Sequence, residues 1–557
     1  MTSPALPASS PSPPPGVETV IGPEVVRPAP APAGAPRRTP WGALGAGAVG
    51  AAVAVGILVR FVARSHLWLD EALTVNIAAV PLRSLTEALR HDGAPPLYYV
   101  VLHGWMRLFG TGTIAVRALS GVFSVACLPL AWRVGRRLGG RTLAAAVLVL
   151  LALSPFAVQY ATEARMYSMA MFLVLAGGLA LANLLERPSS PGLTVAVALA
   201  TGALLLTHYY ALYTVAAVGV VLLWYAWKGE ERAAARRALA AMVAGSLLFL
   251  PWVPVLLYQS AHTGAPWGST GRGLRTVIDT LGVLTSGYRD AGPVPLLLAE
   301  GLIALAVFGR AVGRRRFEID LVGREPARTL ALITFGGLLL AVGVSRLTGQ
   351  AYVPRYASVI FPGVIILIAI GVASFGDARL RVGALVVMAA LSTLGLRPIM
   401  QYERTQAATV ARHLRTSAQA GDVVAYCPDQ LGPSVSRMLP ASLGLTQLTY
   451  PKAQAPQFVD WVDYATTIRH TPVPDFASQL LSRAGPNHNV WLVWSPGYKA
   501  FGRRCDQLLA FLGAYRDAGE TVRLRWSSPE HMSLIRFDPE RQYDGRSSRH
   551  CSLPPGC

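Results

Sequence analysis

Charged residues are scarce in this sequence. They make up 14% of its 557 residues, whereas 52% are hydrophobic. A soluble globular protein carries about 25% charged residues, so this composition argues against that class. The apolar residues also gather in long runs, and the sequence therefore predicts an α-helical polytopic membrane protein.

Acidic residues are the rarer of the two signs. There are 30 Asp and Glu against 50 Lys and Arg, which gives a formal net charge of +20. A nucleic-acid-binding protein would interleave its basic residues with aromatic ones. Here the basic residues stand in short blocks between apolar runs, as in the cytoplasmic loops of membrane proteins. We therefore interpret the basic charge as a sign of topology and expect no nucleic-acid partner.

Large apolar side chains are rare in residues 1–40, which are rich in Pro, Ala and Ser. Such a segment cannot bury enough surface to offset the entropy lost on ordering. We therefore expect residues 1–40 to be a disordered cytoplasmic tail. The first apolar run begins near Trp41 and has no clear cleavage site after it, which indicates a retained helix rather than a signal peptide.

Several apolar stretches approach the length of about 20 residues that a membrane-spanning helix needs. There are eleven of them, at residues 41–63, 114–134, 142–160, 167–185, 192–208, 210–227, 238–257, 293–310, 329–347, 356–374 and 382–398. Arginine-rich blocks fall on alternate connections, for example at 133–141 and 310–328. The positive-inside rule then places the N-terminus and these blocks in the cytoplasm.

The remaining connections are expected to face outward. They are residues 64–113, 161–165, 207–209, 258–290 and 348–355, together with everything after about residue 399. The first of these loops, 64–113, is long enough to hold interfacial amphipathic helices. Alternatively, its stretch PPLYYVVLHGWMRLFG forms a short additional span. An additional crossing would disturb the pattern in which basic blocks fall on alternate connections.

The composition changes after Arg397, and we divide the chain into a tail (1–40), a transmembrane domain (41–398) and an extracytoplasmic α/β domain (399–557). The stretches GDVVAYCP, NVWLVWSP, TVRLRWSS and MSLIRFDP are typical of short strands, and residues 404–419 and 501–518 are typical of helices.

Only five cysteines are present, and four of them lie in the predicted outward domain. An oxidising compartment permits disulfides there. The spacing CSLPPGC makes a Cys551–Cys557 pair plausible, which leaves Cys427 with Cys505. A zinc site is the alternative, although the sequence has no CxxC pair. Cys127 falls in a predicted span and is expected to be a buried apolar side chain.

Ionisable residues near the membrane are costly and tend to be functional or paired. The outward connections contain several, among them Asp70, Glu71, His91, Asp92, Glu163, Arg165, His208 and Arg355. Each has a plain structural interpretation, such as a helix-cap acid, a structural ion pair, an interfacial histidine or an arginine that extends to the interface. Their predicted convergence on one side of the membrane favours a shared site instead.

Four motifs carry a resemblance to a known group of enzymes. LWLDEALT, HDGAPPLYYVVLHGWMRLFG followed by Arg117, SPFAVQYATEARMY and the later PRY resemble, in order and spacing, the bacterial C-type (GT-C) integral membrane glycosyltransferases. Among these enzymes, the motifs resemble those of the family 39 and family 83 types, which include protein O-mannosyltransferases and aminoarabinose transferases. The resemblance covers roughly residues 40–400 and implies a GT-C fold with about eleven transmembrane helices.

The resemblance also implies an activity. Such enzymes transfer a sugar, with inversion, from a polyprenyl-phosphate donor to an acceptor outside the cytoplasmic membrane. Carried over to this sequence, Asp70 matches the catalytic carboxylate residue of these enzymes, with Glu71 and Glu163 as further catalytic candidates. The donor-phosphate candidates are Arg165, Arg355, His91 and His208, and the other site candidates are Asp92, Tyr98, Tyr167 and Tyr356. Ala94 departs from the Lys or His that many relatives have before the paired prolines.

The chemistry suits these residue types. A carboxylate can accept the proton of an acceptor hydroxyl as that hydroxyl attacks the anomeric carbon, and this is the role expected of Asp70. Guanidinium groups bind phosphate oxygens in a forked geometry, which suits Arg165 and Arg355. No cofactor is certain, but a divalent metal held by Asp70, Glu71 or Glu163 stays open.

Two other classes of function stay open. A lipid or glycan transporter or flippase also places charges near the membrane, and a noncatalytic scaffold could bind cell-wall glycan through its outward domain. The glycosyltransferase interpretation implies a mannose or arabinose-like sugar. Its acceptor would be a cell-envelope glycan, lipid or protein, and its location the outer face of the cytoplasmic membrane.

Overall fold

The structure is a computed structural model that describes residues 40–229, 231–264, 273–287, 292–314 and 316–539. The predicted tail and the predicted Cys551–Cys557 pair lie outside the described residues. Residues up to Gly47 form a unit of their own, of which residues 40–47 are described. The account below concerns the unit from Ala48 onward.

Helices make up the described chain as far as residue 401. They are α1 (Pro40–Val59), α2 (Leu69–Ala79), α3 (Leu82–Arg90), α4 (Leu97–Phe109), α5 (Thr113–Leu153), α6 (Pro155–Ala161), α7 (Tyr167–Glu186), α8 (Pro191–Leu205), α9 (Ala211–Lys228), α10 (Arg232–Leu247), α11 (Val253–His262), α12 (Leu274–Ser286), α13 (Val294–Phe308), α14 (Ala327–Thr348), α15 (Phe361–Ala373) and α16 (Ala378–Gln401). A small antiparallel hairpin, β1 (Gly309–Ala311) and β2 (Phe317–Ile319), and the 3-10 helices Leu250–Trp252 and Pro354–Val359 complete this part.

The chain is a multi-pass membrane protein by the length and composition of these helices. Six helical segments of the described residues are long and apolar enough to cross a membrane: Thr113–Leu153, Tyr167–Glu186, Ala211–Lys228, Arg232–His262, Ala327–Thr348 and Ala378–Gln401. Four shorter apolar helices accompany them: Gly45–Val59, Pro191–Leu205, Val294–Phe308 and Phe361–Ala373. Each of the eleven predicted stretches falls on one of these segments, but the count of eleven spans is not confirmed.

The long helix α5 contains two of the predicted stretches. Its backbone leaves the helical conformation at Gly139 and Gly140, and Gly140 has a φ of 73°, a conformation that glycine adopts without steric cost. A Cβ atom added to Gly135 would lie 2.6 Å from the Cα atom of Ala144. The two halves of α5 therefore turn back on each other at the arginine-rich segment that the sequence places between two spans.

The connection 64–113 folds into three helices, α2, α3 and α4. Helix α4 has 13 residues, which corresponds to about 20 Å at 1.5 Å per residue. This length falls short of the hydrocarbon core, which is about 30 Å thick. The length of α4 therefore favours the interfacial interpretation of PPLYYVVLHGWMRLFG over the alternative of an additional span.

The C-terminal part contains a mixed five-stranded sheet with helices. Its elements are α17 (Ala407–Ser417), β3 (Val423–Cys427), α18 (Gly432–Ser436), β4 (Thr446–Thr449), α19 (Tyr464–His470), α20 (Val473–Ala484), β5 (Val490–Trp494), α21 (Arg504–Tyr515), β6 (Ala518–Val522) and β7 (Ser533–Phe537), with 3-10 helices at Asp429–Leu431 and Ala441–Leu443. The strand order is β4-β3-β5-β7-β6; β3 is parallel to β4 and β5, and β7 is antiparallel to β5 and β6.

Both faces of this sheet are covered. On β3, Val424 and Tyr426 pack with α17, whereas Val423 and Ala425 belong to the core shared with α20 and α21. The strand predicted in TVRLRWSS is wrong in position, because the edge strand β6 is Ala518–Val522 and ends inside that stretch. Strand β4 and helices α19 and α20 were not expected from the sequence.

A disulfide joins Cys427 at the end of β3 to Cys505 at the start of α21. This is the pairing that remained once Cys551 and Cys557 were assigned to each other. Cys127 is a buried free thiol. The disulfide therefore ties the end of β3 to the helix that follows β5, the strand parallel to β3 in the sheet.

The disulfide generates a prediction about stability. Replacement of Cys427 and Cys505 by Ser should lower the unfolding free energy of the C-terminal part by about 2–4 kcal/mol, because the bond closes a long loop. Thermal unfolding of the purified protein in detergent would measure this loss. Cys127→Ser serves as the control for handling of thiols, and an unchanged midpoint for the double variant would contradict a stabilising role.

Candidate functional site

A cavity of about 810 Å³ lies between the membrane helices and the C-terminal sheet domain. Its wall contains residues from distant parts of the chain: Trp68, Leu69, Asp70, Tyr160, Val283, Gly287, Val353, Pro354, Arg355, Tyr402, Gln430, Pro496, Gly497, Tyr498, Lys499, Ala500, Trp526, Pro529, Glu530 and His531. Two of these, Asp70 and Arg355, are among the predicted site residues. The cavity is therefore the place where the first loop and the PRY motif meet.

Asp70 and Arg355 form an ion pair on the cavity wall. Asp70 lies in the first turn of α2, and Arg355 lies in the 3-10 helix Pro354–Val359. Asp70 Oδ2 is 3.1 Å from Arg355 Nη1, and the two side chains are 14% and 20% exposed. Both groups thus keep contact with the cavity while they neutralise each other.

Arg165 approaches the same helix from another direction. It lies in the connection between α6 and α7, and its Nη1 donates a hydrogen bond of 2.8 Å to Thr74 Oγ1 on α2. Its guanidinium group interacts electrostatically with Asp70 and Asp92. Arg165 therefore adds a second cation near Asp70; its role in phosphate binding stays a prediction.

Glu163, two residues earlier, is 3% exposed. Burial raises the pKa of its carboxyl group, and Arg404 opposes that rise. Its Oε1 atom is buried without a hydrogen-bond partner among the described residues. Glu163 is thus held near Asp70 and Glu71 but is not on the cavity wall.

Glu71 makes a different set of contacts from its neighbour Asp70. It is fully buried, and Arg117 donates from Nε to Oε1 (2.7 Å) and from Nη2 to Oε2 (2.5 Å). The backbone amide of Ala164 donates to Oε1 at 2.9 Å, and Arg404 Nη1 lies 3.8 Å from Oε2. Both oxygens are occupied by protein groups, which supports a structural role for this carboxylate.

The two candidate histidines lie apart from each other. His208 is buried among Tyr167, Tyr210 and Tyr356, and burial, aided by Arg165 and Arg355, lowers its pKa to about 3. It is therefore neutral at pH 7, and its Nδ1 accepts the Tyr210 amide at 3.2 Å.

His91 lies 2.7 Å from Asp460 of the C-terminal domain and is half-buried. It makes a contact between domains and does not line the cavity.

The other predicted site residues form the surroundings of this cluster. Tyr99 donates a 2.7 Å hydrogen bond to Asp92. Burial raises the pKa of the Asp92 carboxyl group, although the nearby Arg165 opposes that rise. Tyr98 pairs with Ser120 at 3.1 Å.

Two further tyrosines lie near the arginines. The ring centroid of Tyr167 lies 6.0 Å from the Arg165 guanidinium, and that of Tyr356 lies 6.0 Å from the Arg355 guanidinium.

The described residues contain no group of three or more His, Cys, Asp or Glu side chains arranged to hold a metal ion. Of the three carboxylates considered for a metal, Glu71 is occupied by Arg117 and Asp70 is paired with Arg355. In this arrangement Glu71 has no oxygen left for a cation.

Sequence reasoning missed the part of the wall that comes from the C-terminal domain. Glu530 is 2% exposed, and burial raises its pKa to about 8 against the effect of its hydrogen bonds. Lys499, His531 and Tyr498 line the same wall. No motif marks these residues, whereas Trp68 is adjacent to LDE and could have been noted.

The architecture defines the class of fold. Apolar helices with a loop-borne acid after the first helix, a long first connection and a C-terminal sheet domain make up the GT-C fold, as the motifs predicted. The comparisons with solved structures then identify the particular proteins that share it.

The chain is similar to ArnT from Cupriavidus metallidurans in its apo state, with 15% identity and a TM-score of 0.58, over 88% of this chain and 98% of that one. It is also similar to ArnT from the same organism bound to undecaprenyl phosphate, with 16% identity and a TM-score of 0.54 over the same shares. These likenesses show the fold. No protein-family model and no curated protein sequence matches the chain.

The burial of Glu71 generates a prediction. Glu71→Gln should lower the unfolding free energy by about 3–5 kcal/mol, because it leaves Arg117 buried without its charged partner. Thermal or denaturant unfolding in detergent measures the change. Glu87→Gln is the control, since Glu87 is 65% exposed in a surface pair and should cost less than about 1 kcal/mol. Equal stability of the two variants would rule out a structural role for the Glu71–Arg117 pair.

Proposed function

We propose that the chain is a polyprenyl-phosphate-sugar-dependent glycosyltransferase that works with inversion on the outer face of the cytoplasmic membrane. The observation that carries this proposal is the Asp70–Arg355 pair on the wall of a cavity between membrane helices and a sheet domain. A lipid-linked donor needs a site of this kind, since its tail stays in the membrane while its headgroup meets an aqueous acceptor.

Asp70 is the general base in this proposal. The acceptor hydroxyl gives its proton to the Asp70 carboxylate as its oxygen bonds to the anomeric carbon, and the bond from that carbon to the phosphate oxygen breaks. The pair of electrons leaves with the polyprenyl phosphate. In the structure Arg355 forms an ion pair with Asp70 Oδ2. A donor phosphate that draws Arg355 toward itself would release the Asp70 carboxylate to act as the base.

Arg355, on the cavity wall, is the cation that contacts the leaving phosphate, and Arg165, off the wall but close to Asp70, adds positive charge behind it. Negative charge grows on the phosphate oxygens as the bond breaks, so fixed cations lower the energy of the transition state more than that of the bound donor. His208 is neutral and can act only through hydrogen bonds. His91 contacts Asp460 instead of the cavity wall, and we assign it no role in phosphate binding.

A second cavity in the structure favours the proposal that the donor is lipid-linked. It has a volume of about 510 Å³, and apolar side chains of α7, α8, α9, α14 and α15 line most of it. Val359 and Ile360, at the end of the 3-10 helix that carries Arg355, form part of its wall. An apolar cavity among membrane helices suits a hydrocarbon chain rather than water.

The comparisons are consistent with such a donor. ArnT, which shares the fold, has been solved with undecaprenyl phosphate bound. For this chain we propose a polyprenyl phosphate that carries mannose or an arabinose-like sugar. The acceptor is a cell-envelope glycan, lipid or protein that reaches the site from the aqueous side.

The role of Asp70 gives a direct test. Asp70→Asn should insert and fold normally yet lose about 10²–10⁴-fold in transfer, the usual contribution of a general base. Purified enzyme, incubated with a panel of labelled polyprenyl-phosphate sugars, reports both hydrolysis and transfer. Asp463→Asn is the matched control, because Asp463 is 57% exposed and pairs only with His262 among the ion pairs of the described residues. Near-normal turnover by Asp70→Asn would show that Asp70 is not the general base.

The role of Arg355 gives a second test. Arg355→Lys keeps the charge but loses the forked geometry, so kcat should fall about 10²-fold, the usual loss on removal of a group that stabilises developing negative charge. Initial rates at varied donor concentration separate kcat from KM. Arg397→Lys, an exposed arginine of α16, is the control. A variant with unchanged kcat would show that Arg355 does not contact the leaving phosphate.

A further inference from the structure

The carboxyl group of Glu530 comes from the C-terminal domain and yet lines the cavity that contains Asp70. It is 2% exposed, and it accepts a 2.8 Å hydrogen bond from the hydroxyl of Ser434. Its other oxygen, Oε2, is buried without a hydrogen-bond partner among the described residues, and the carboxyl group shares the cavity wall with Leu69 and Asp70. Leu69 is the first residue of α2 and directly precedes Asp70.

The backbone around Glu530 is fixed to the start of the C-terminal domain. The Glu530 amide donates to the carbonyl of Arg404 at 3.1 Å, and the Gln406 amide donates to the carbonyl of Glu530 at 3.1 Å. The Arg404 amide in turn donates to Ser65 Oγ at 2.9 Å. The segment that precedes α2 and the segment that carries Glu530 are therefore both hydrogen-bonded to the segment from Arg404 to Gln406.

Helix α2 lacks a cap of its own. The residue at its N-cap position is Trp68, whose side chain makes no capping hydrogen bond. The first amides of a helix need an acceptor. The buried and unpartnered Oε2 of Glu530, on the cavity wall beside Leu69 and Asp70, is an acceptor available to this turn of α2.

We propose that Glu530 is a positioning residue for Asp70, which holds the first turn of α2 so that the Asp70 carboxylate faces Arg355 and the incoming hydroxyl. This inference rests on the proposed function of Asp70 as the base. It makes the C-terminal domain a contributor to the active site, so that the membrane domain alone holds an incomplete site.

The charge state of Glu530 gives the proposal a distinctive signature. Burial keeps the carboxyl neutral up to a pKa of about 8. The groups that face it are Leu69 and Asp70 from α2, Ser434 from α18, Thr405 ahead of α17 and Tyr498 from the loop after β5, with Lys499 and His531 on the same cavity wall. Ionisation above pH 8 places a second negative charge beside Asp70 and the leaving phosphate. Transfer should therefore fall as the pH rises through about 8.

The experiment compares Glu530→Ala and Glu530→Gln in the full-length protein. The alanine variant loses the acceptor, so kcat should fall about 10²-fold, as expected when a reacting group is displaced, while KM for the donor stays unchanged because Arg355 and Arg165 are intact. The glutamine variant keeps an acceptor oxygen and no charge, so it should retain activity at pH 7 and lose the decline above pH 8. Glu520→Gln, on the edge strand β6, is the matched control.

Hydrogen exchange of the α2 amides gives a readout that does not depend on activity. Exchange at residues 69–74 should be faster in Glu530→Ala than in wild type and close to wild type in Glu530→Gln. Unchanged exchange in the alanine variant would overturn the inference, as would a wild-type pH profile in the glutamine variant. Absence of transfer by the wild-type protein with every donor would count against the proposed function, whereas the exchange measurement would still test the positioning of α2.

Discussion

The buried ion pair between Glu71 and Arg117 is the constraint on which the rest of the site depends. Glu71 is fully buried and receives two hydrogen bonds from Arg117, which also donates to the carbonyl of Ser65 at 2.6 Å. The same carboxylate accepts the amide of Ala164 and lies 3.8 Å from Arg404. A buried charge is costly unless it is fully paired, so these partners can be arranged in few ways. The pair thereby joins α2, α5, the connection before α7 and the start of the C-terminal domain.

This arrangement explains why two adjacent acids have different roles. Successive residues of a helix point about 100° apart, so that burial of Glu71 turns Asp70 toward the cavity. Asp70 is left with Arg355 and access to the cavity, whereas Glu71 has no free oxygen. The stability of the loops and the chemistry proposed for the site thus come from neighbouring carboxylates on one helical turn.

Much of the architecture could be predicted from local patterns. Apolar runs identified the segments that became membrane helices, and the arginine block near Gly139 marked the break within α5. Strands β3, β5 and β7 follow from their β-branched and aromatic residues, and the GT-C fold follows from the order of the motifs. Less regular elements, such as β4, and the placement of β6 escaped prediction because short segments take their conformation from their neighbours in the sheet.

The amino-acid sequence is enough to identify the ionisable groups close to the membrane and their order, because the cost of such groups restricts them to special positions. Which of these groups meet depends on the tertiary structure. It paired Asp70 with Arg355, buried Glu71 against Arg117, neutralised His208 and turned His91 toward Asp460. It also brought Glu530 to the first turn of α2. Contacts between residues hundreds of positions apart arise from the docking of whole elements, and no local pattern of residues encodes that docking.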